Sequence, residues 1–344
     1  MAGVSAGTVD RILHNRGKVS QSSRQAVEKV LAEVGYRYNI HTSAVALKKG
    51  YNIVISMPTA SPGEYWGSIQ EGIEHALREY SDISINCRYA FYNQFDVYSC
   101  RTAFDSITAD SPDAVIIGPT FTDETIGLCR RLEERKIPFV FIDSAIEGTS
   151  TIATFTTDQY ACGFLLGRLL HSITPEDSEF AIFRNTRVGN RSSNNSVERK
   201  KGFIGYFKSI GMKDRIYETS FSVLDPEDNA KNILEFMKSH PSIKGVAALN
   251  SRGYIIADIL NDNERSEHVR MVSFDMTTNN VRCIRNGSID ALLCQRPALQ
   301  GFLSVKTVIR YLLYKKTDMP LHTLMPIDII MKQNLDFYNE FIEL

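Results

Sequence analysis

From Asn52 to Met331, short apolar runs alternate with longer stretches whose apolar residues recur every three or four positions. Few folds are open to a chain with that rhythm. Parallel strands need crossover connections and amphipathic helices supply them, so the pattern predicts doubly wound α/β sheets. The first half reads as strands at 52–57, 83–89, 113–117 and 138–142, with helices at 65–80, 96–109 and 123–136. Near Thr157 the pattern restarts. Helices at 159–173, 196–210, 226–239 and 252–262 alternate with strands at 179–184, 215–220, 244–249 and 269–274. Strand 289–294, helix 298–315 and strand 326–331 close the chain.

Ligands of open α/β sheets sit beyond the carboxyl ends of the strands, and that rule selects a set of polar residues. Ser61-Pro62-Gly63-Glu64-Tyr65-Trp66 follows the first strand, and Asp143, Asn250, Asp275 and Gln295 each follow a later one. Arg199 opens the helix that runs through Arg199-Lys200-Lys201-Gly202-Phe203. Carboxylates and amides pair with hydroxyls in bidentate fashion, and Tyr65 or Trp66 can stack on an apolar ring face, so these residues suit a sugar. Competing assignments exist for single members: Asp143 and Asp275 as helix caps, Trp66 as core packing. Asp158 is read as a cap.

Charge is unevenly spread. Residues 1–50 carry eight Lys/Arg against three Asp/Glu in a chain of net charge −1, so a polyanion is the natural partner of this head alone. Val9, Ile12 and Leu13 form one helical face, with Ser5 at the N-cap position and Gly3 suited to a tight turn before it. After the break at Asn15-Arg16-Gly17, a second helix starts at about Gln21, capped by Ser20, and stops at Gly35. Two helices this short cannot bury enough apolar surface to fold alone.

The run Ala2-Gly3-Val4-Ser5-Ala6-Gly7-Thr8-Val9-Asp10-Arg11-Ile12-Leu13, then Val19-Ser20, Arg24 and Gly35-Tyr36-Arg37-Tyr38-Asn39, closely resembles the head of the lactose-repressor family. The resemblance implies a helix-turn-helix over 1–39, a hinge helix over 40–50 and a ligand-binding body over 51–344. That body is of the periplasmic binding protein type, so the likeness covers nearly the whole chain. Lobe one is expected over about 51–154 and 295–323, lobe two over about 155–294 and 324–344. The family's first helix has no counterpart before Met1, so either Met1 is internal to a longer protein or the head is truncated. On the family's plan Ser5–His14 is the recognition helix. Its polar face is Ala6, Gly7, Asp10, Arg11 and His14, with Arg11 able to reach a guanine or a phosphate. Thr8 and Ser20 are candidate phosphate contacts. In the hinge, Val45 or Leu47 would wedge into the minor groove. The family positions also match Asp143, Arg199, Asn250, Asp275 and Gln295 well, and Tyr65 and Trp66 more loosely. Expected partners are double-stranded operator DNA, a sugar effector and a second copy of the chain in a homodimer.

Several classes are set aside. Gly17-Lys18 lacks the upstream glycine of a phosphate-binding loop, no G-x-G-x-x-G follows a strand, and no H-E-x-x-H occurs. Gly3-Val4-Ser5-Ala6-Gly7 fits a nucleophile elbow only in letters, since that motif works on a strand-to-helix turn. The seven histidines are scattered and the six cysteines form no CxxC pair, so neither metal nor cofactor is expected. Asp143 and Asp275 lack the framework of a hydrolase pair, and catalysis is not expected. With no secretory signal and no run of roughly 20 apolar residues, the expected compartment is the cytoplasm. The alternative, a solute-binding protein of a sugar transporter, would need export and would leave the basic head without a purpose.

Overall fold

The computed structural model describes residues 2–13, 19–33, 50–59, 61–185, 194–222, 226–263, 269–315 and 321–340. The head comprises α1 (Ala6–Leu13) and α2 (Gln21–Glu33). The body begins β1 (Tyr51–Pro58), α3 (Tyr65–Glu79), β2 (Ile85–Tyr92), α4 (Val97–Asp110), β3 (Ala114–Ile117), α5 (Thr122–Glu134), β4 (Phe139–Asp143) and β5 (Ala153–Thr156). It continues α6 (Gln159–Ile173), β6 (Glu179–Asn185), α7 (Asn194–Ser209), β7 (Ile216–Phe221), α8 (Pro226–Ser239), β8 (Ile243–Ala248), α9 (Gly253–Asn261), β9 (Arg270–Phe274), α10 (Thr278–Asn286) and β10 (Ala291–Cys294). Last come α11 (Pro297–Tyr314), β11 (His322–Leu324) and β12 (Asp328–Met331).

These strands form two six-stranded sheets, ordered β11-β5-β4-β3-β1-β2 and β12-β10-β9-β8-β6-β7. The two orders follow the same path, so β1 through β5 correspond to β6 through β10. Among the described residues, every pairing is parallel except that of β12 with β10. Both faces of each sheet are covered, which is why β3 and β4 are fully buried apolar runs. The chain passes between the sheets after β5, after β10 and after β11.

Three elements depart from the expected pattern. β5 and β11 are short and Thr- or His-bearing, without an apolar run long enough to register as strands. The expected strand 326–331 becomes β12, while β11 just before it joins the other sheet. α10 escapes the pattern because only Asn280, Cys283 and Ile284 of its nine residues are buried, too narrow an apolar stripe to read.

Each lobe contains one unusually close helix pair. A Cβ on Gly72 of α3 would overlap the carbonyl of Ala298 on α11, and one on Gly301 would overlap the carbonyl of Ile69. In the other lobe, a Cβ on Gly163 of α6 would overlap the carbonyl of Arg199 on α7, and one on Gly202 that of Tyr160. The glycines let the two backbones touch.

Candidate functional site

β4 and β9, which correspond in the two sheets, both lead into an aspartate in the left-handed region: Asp143 (φ 67) and Asp275 (φ 61). That conformation costs of order 1–3 kcal/mol and needs support from its surroundings. The Asp143 amide donates to Gln300 Oε1 at 2.9 Å, and the Asp275 amide to the carbonyl of Leu293 at 2.9 Å. Neither carboxylate caps a helix. Both are buried and line the cleft between the lobes.

Arg199, on the second turn of α7, stands at the centre with 5 % of its surface exposed. Its Nε donates to Gln159 Oε1 (2.7 Å), one Nη to the carbonyl of Leu249 (2.9 Å) and the other to Gln295 Oε1 (2.8 Å). The guanidinium lies 4.0 Å from the centre of the Phe274 ring. Gln295 then donates its Nε2 to both oxygens of Asp275 at 3.1 Å, and its carbonyl accepts from Gln300. Asp143 accepts from the Tyr65 hydroxyl (2.7 Å), Ser144 (3.1 Å) and Asn195 (3.0 Å). Asn195 lies on α7 of the other lobe, so this last bond crosses the cleft. A second crossing joins the Thr278 amide to the Gly63 carbonyl at 2.8 Å.

Burial pushes the Asp275 carboxyl up to about 7, against the opposing pull of Arg199 and the Gln295 amide. Burial also raises Asp143, opposed first by the Tyr65 hydroxyl and then by Arg199. Burial and the neighbouring Asp143 raise Tyr65, which therefore stays a hydroxyl donor. A carboxyl whose folded value lies above its unfolded one favours the folded chain at low pH, and that advantage is lost as pH rises towards 7. Asp275→Asn is therefore expected to match wild type at pH 4 and to exceed it by on the order of 2–4 kcal/mol at pH 8. Melting curves at the two pH values check this, and an equal gap at both would refute it.

Of the cleft residues expected from sequence, Tyr65, Trp66, Asp143, Arg199, Asn250, Asp275 and Gln295 all line one cavity of about 1140 Å³, counted out to its open mouth. Trp66 is 7 % exposed and packs in the core of the first lobe as well as lining the cleft. The Tyr65 hydroxyl is spent on Asp143, so its part is to orient that carboxylate. Sequence reasoning missed Gln159, Asn195 and Gln300. Gln300 carried a signal, a polar residue on the apolar stripe of 298–315; Asn195, inside a polar run, carried none. Asp158 caps α6 through the Ala161 amide, as expected.

In the head, the Ser5 Oγ accepts from the Thr8 amide at 3.2 Å and contacts Thr8 Oγ1 at 3.0 Å, so both hydroxyls serve the start of α1. Ser20 likewise accepts from the Ser23 amide at 3.3 Å. Ile12 and Val27 are buried, while Ala6, Gly7, Arg11 and Ser20 are exposed and Thr8 is half-buried. Asp10 lies within α1. His14, Val45 and Leu47 lie outside the described residues. All six cysteines are free. No helix among the described residues is long and apolar enough to cross a membrane.

Two doubly wound lobes that close a polar cleft at their strand ends define a ligand-binding body, and residues 53–316 match the periplasmic binding protein domain family. Residues 1–39 match the family described as bacterial regulatory proteins, lacI family. The solved structure of a protein described as a LacI transcriptional regulator from Bacteroides fragilis is 30% identical, with a TM-score of 0.80 over 85% of this chain and 100% of that one. The HTH-type transcriptional regulator DegA of Bacillus subtilis (strain 168) is 22% identical over 68% of this chain and 67% of its own length. The ribose operon repressor of Lactococcus lactis subsp. lactis (strain IL1403) is 21% identical over 80% of this chain and 78% of its own. The chain belongs to the lacI family of bacterial regulatory proteins. It is a ligand-controlled, DNA-binding transcriptional repressor with a periplasmic-binding-protein body.

Proposed function

We propose that the effector is a neutral sugar or related polyol, held in the cleft, and that it sets the affinity of a cytoplasmic homodimer for a pseudo-palindromic operator. The observation that carries this reading is the balance of charge in the cleft. Arg199 is committed to Gln159, Leu249 and Gln295 beside the carboxyls of Asp143 and Asp275, and Arg252 faces Glu64. The described residues lining the cleft carry two cations, Arg199 and Arg252, against three carboxyls, Glu64, Asp143 and Asp275, a balance that disfavours a phosphate or carboxylate on the ligand, whereas hydroxyls find both donors and acceptors. The ribose operon repressor is named for a sugar, which agrees with this chemistry. The bonds from Asn195 to Asp143 and from Thr278 to Gly63 join the lobes, so a ligand that strengthens or breaks them shifts the balance between closed and open forms.

A mobility-shift assay of the full natural protein on its own gene's upstream DNA, with a panel of neutral sugars, tests this. Salt-sensitive, sequence-selective binding is expected, with one sugar changing operator affinity about 5- to 150-fold. Sugar binding without any DNA shift would favour the solute-binding alternative, and a shift that responds to no sugar would overturn the effector assignment.

A further inference from the structure

β6 ends at Asn185, and β8 leads into Asn250. Their register runs Ala181 with Val246, Ile182 with Ala247 and Phe183 with Ala248. Carried two residues past the last pair, that register places Asn185 opposite Asn250 at the carboxyl edge of the sheet. The backbone of Asn185 is held by its pairing with Phe221 on β7, and both asparagines line the cleft.

Their amides are unlike those of the other cleft residues. Arg199, Gln295 and Asp275 form one hydrogen-bonded chain, and Asp143 is satisfied by Tyr65, Ser144 and Asn195. Asn250 uses its Oδ1 to accept from the Arg252 amide at 2.8 Å, but its Nδ2 is buried with no hydrogen-bond partner. The Oδ1 of Asn185 is also buried and unpartnered. Each such group costs about 1–3 kcal/mol, and such a cost in a native fold calls for an occupant. Here the two line one cleft and are opposite in kind, one donor and one acceptor. A phosphate or carboxylate would satisfy Asn250 and be repelled by the carbonyl of Asn185. An alkyl group would satisfy neither. A hydroxyl, which both donates and accepts, satisfies the pair.

We propose that Asn185 and Asn250 form a hydroxyl-reading pair: Asn185 Oδ1 accepts from an effector hydroxyl while Asn250 Nδ2 donates to the same or the neighbouring hydroxyl oxygen. This rests on the polyol reading of the cleft and adds a specificity-determining residue, Asn185, to it. The ring is positioned by the preformed network, and the asparagine pair tests for one hydroxyl at one place on it.

Titration calorimetry with neutral aldopentoses and aldohexoses, followed by the monodeoxy analogues of the tightest binder, tests the assignment. Wild type is expected to bind one deoxy analogue about 10- to 100-fold more weakly than its parent. Asn185→Ala is expected to bind the parent about 10- to 100-fold more weakly and to lose discrimination against that one analogue while keeping it against the others. Should Asn185→Ala fail to fold, Asn185→Asp, nearly isosteric and still an acceptor, is expected to retain the preference for the parent. Unchanged affinity in Asn185→Ala, uniform weakening towards parent and every deoxy analogue, or loss of the preference in Asn185→Asp overturns this inference alone. A wild-type protein that binds no sugar in the panel overturns both it and the polyol reading.

Discussion

Arg199→Ala is expected to abolish measurable effector binding and to destabilise the body by about 3–5 kcal/mol. The loss has a specific origin. The guanidinium bonds Gln159, the Leu249 carbonyl and Gln295, and it offsets part of the burial cost of Asp143 and Asp275. Alanine leaves two buried carboxyls without a counter-charge and the Gln159 oxygen without its donor, while the Gln295 oxygen keeps the Thr157 hydroxyl. Arg199→Lys cannot reproduce the fork or the contact with Phe274 and is expected to restore little. Calorimetry with the effector and urea unfolding at pH 7.5 read the two effects separately. Full-strength binding in Arg199→Ala would remove the residue from the site.

The second large effect is expected from a methyl group. Gly163→Ala replaces a helix-weakening residue by the best helix former, worth about 1 kcal/mol in its favour. The new Cβ, however, has no room: it falls against the carbonyl and Cα of Arg199 on the facing helix. Overpacking of this kind typically costs 1–3 kcal/mol, and more where backbone rather than a flexible side chain must yield. The net expectation is a loss of about 2 kcal/mol or more, together with weaker effector binding because α7 carries Arg199 away from its partners. Gly127→Ala on α5 is the control. Nothing lies within 4 Å of the place its methyl would take, so the same exchange is expected to stabilise the chain by up to about 1 kcal/mol. Thermal melts of the two variants should move in opposite directions. A Gly163→Ala protein that melts above wild type would show that the helices part at no cost.

The fold was legible in the sequence wherever burial makes strands uniformly apolar. β3 (Ala114–Ile117) and β4 (Phe139–Asp143), sealed on both faces, announce themselves, whereas β11, half-exposed at a sheet edge, and the largely polar α10 do not. The cleft residues were readable for a related reason. Asp143, Asp275 and Gln295 each end a strand, so a rule about strand ends finds them. Gln159 and Asn195 needed a second element brought alongside, and no local pattern encodes that, whereas Asn185 ends β6 and falls under the strand-end rule, which was not applied to it. The partition of roles was not readable either: Tyr65 has the ring of a stacking platform and instead spends its hydroxyl on Asp143.

β1 pairs on both sides, with β2 and β3, and it begins at Tyr51, directly after the head and hinge stretch. The head is therefore joined directly to one sheet, at the strand next to its edge, while the other lobe is joined to that sheet by the three passages of chain and by the bonds that cross the cleft. With Gln295 at one of those passages and also bonded to Arg199, the proposed effector cleft lies at the fulcrum. On the proposed reading the other lobe is then a lever, and what it would convey to the DNA-reading end is an angle rather than a contact.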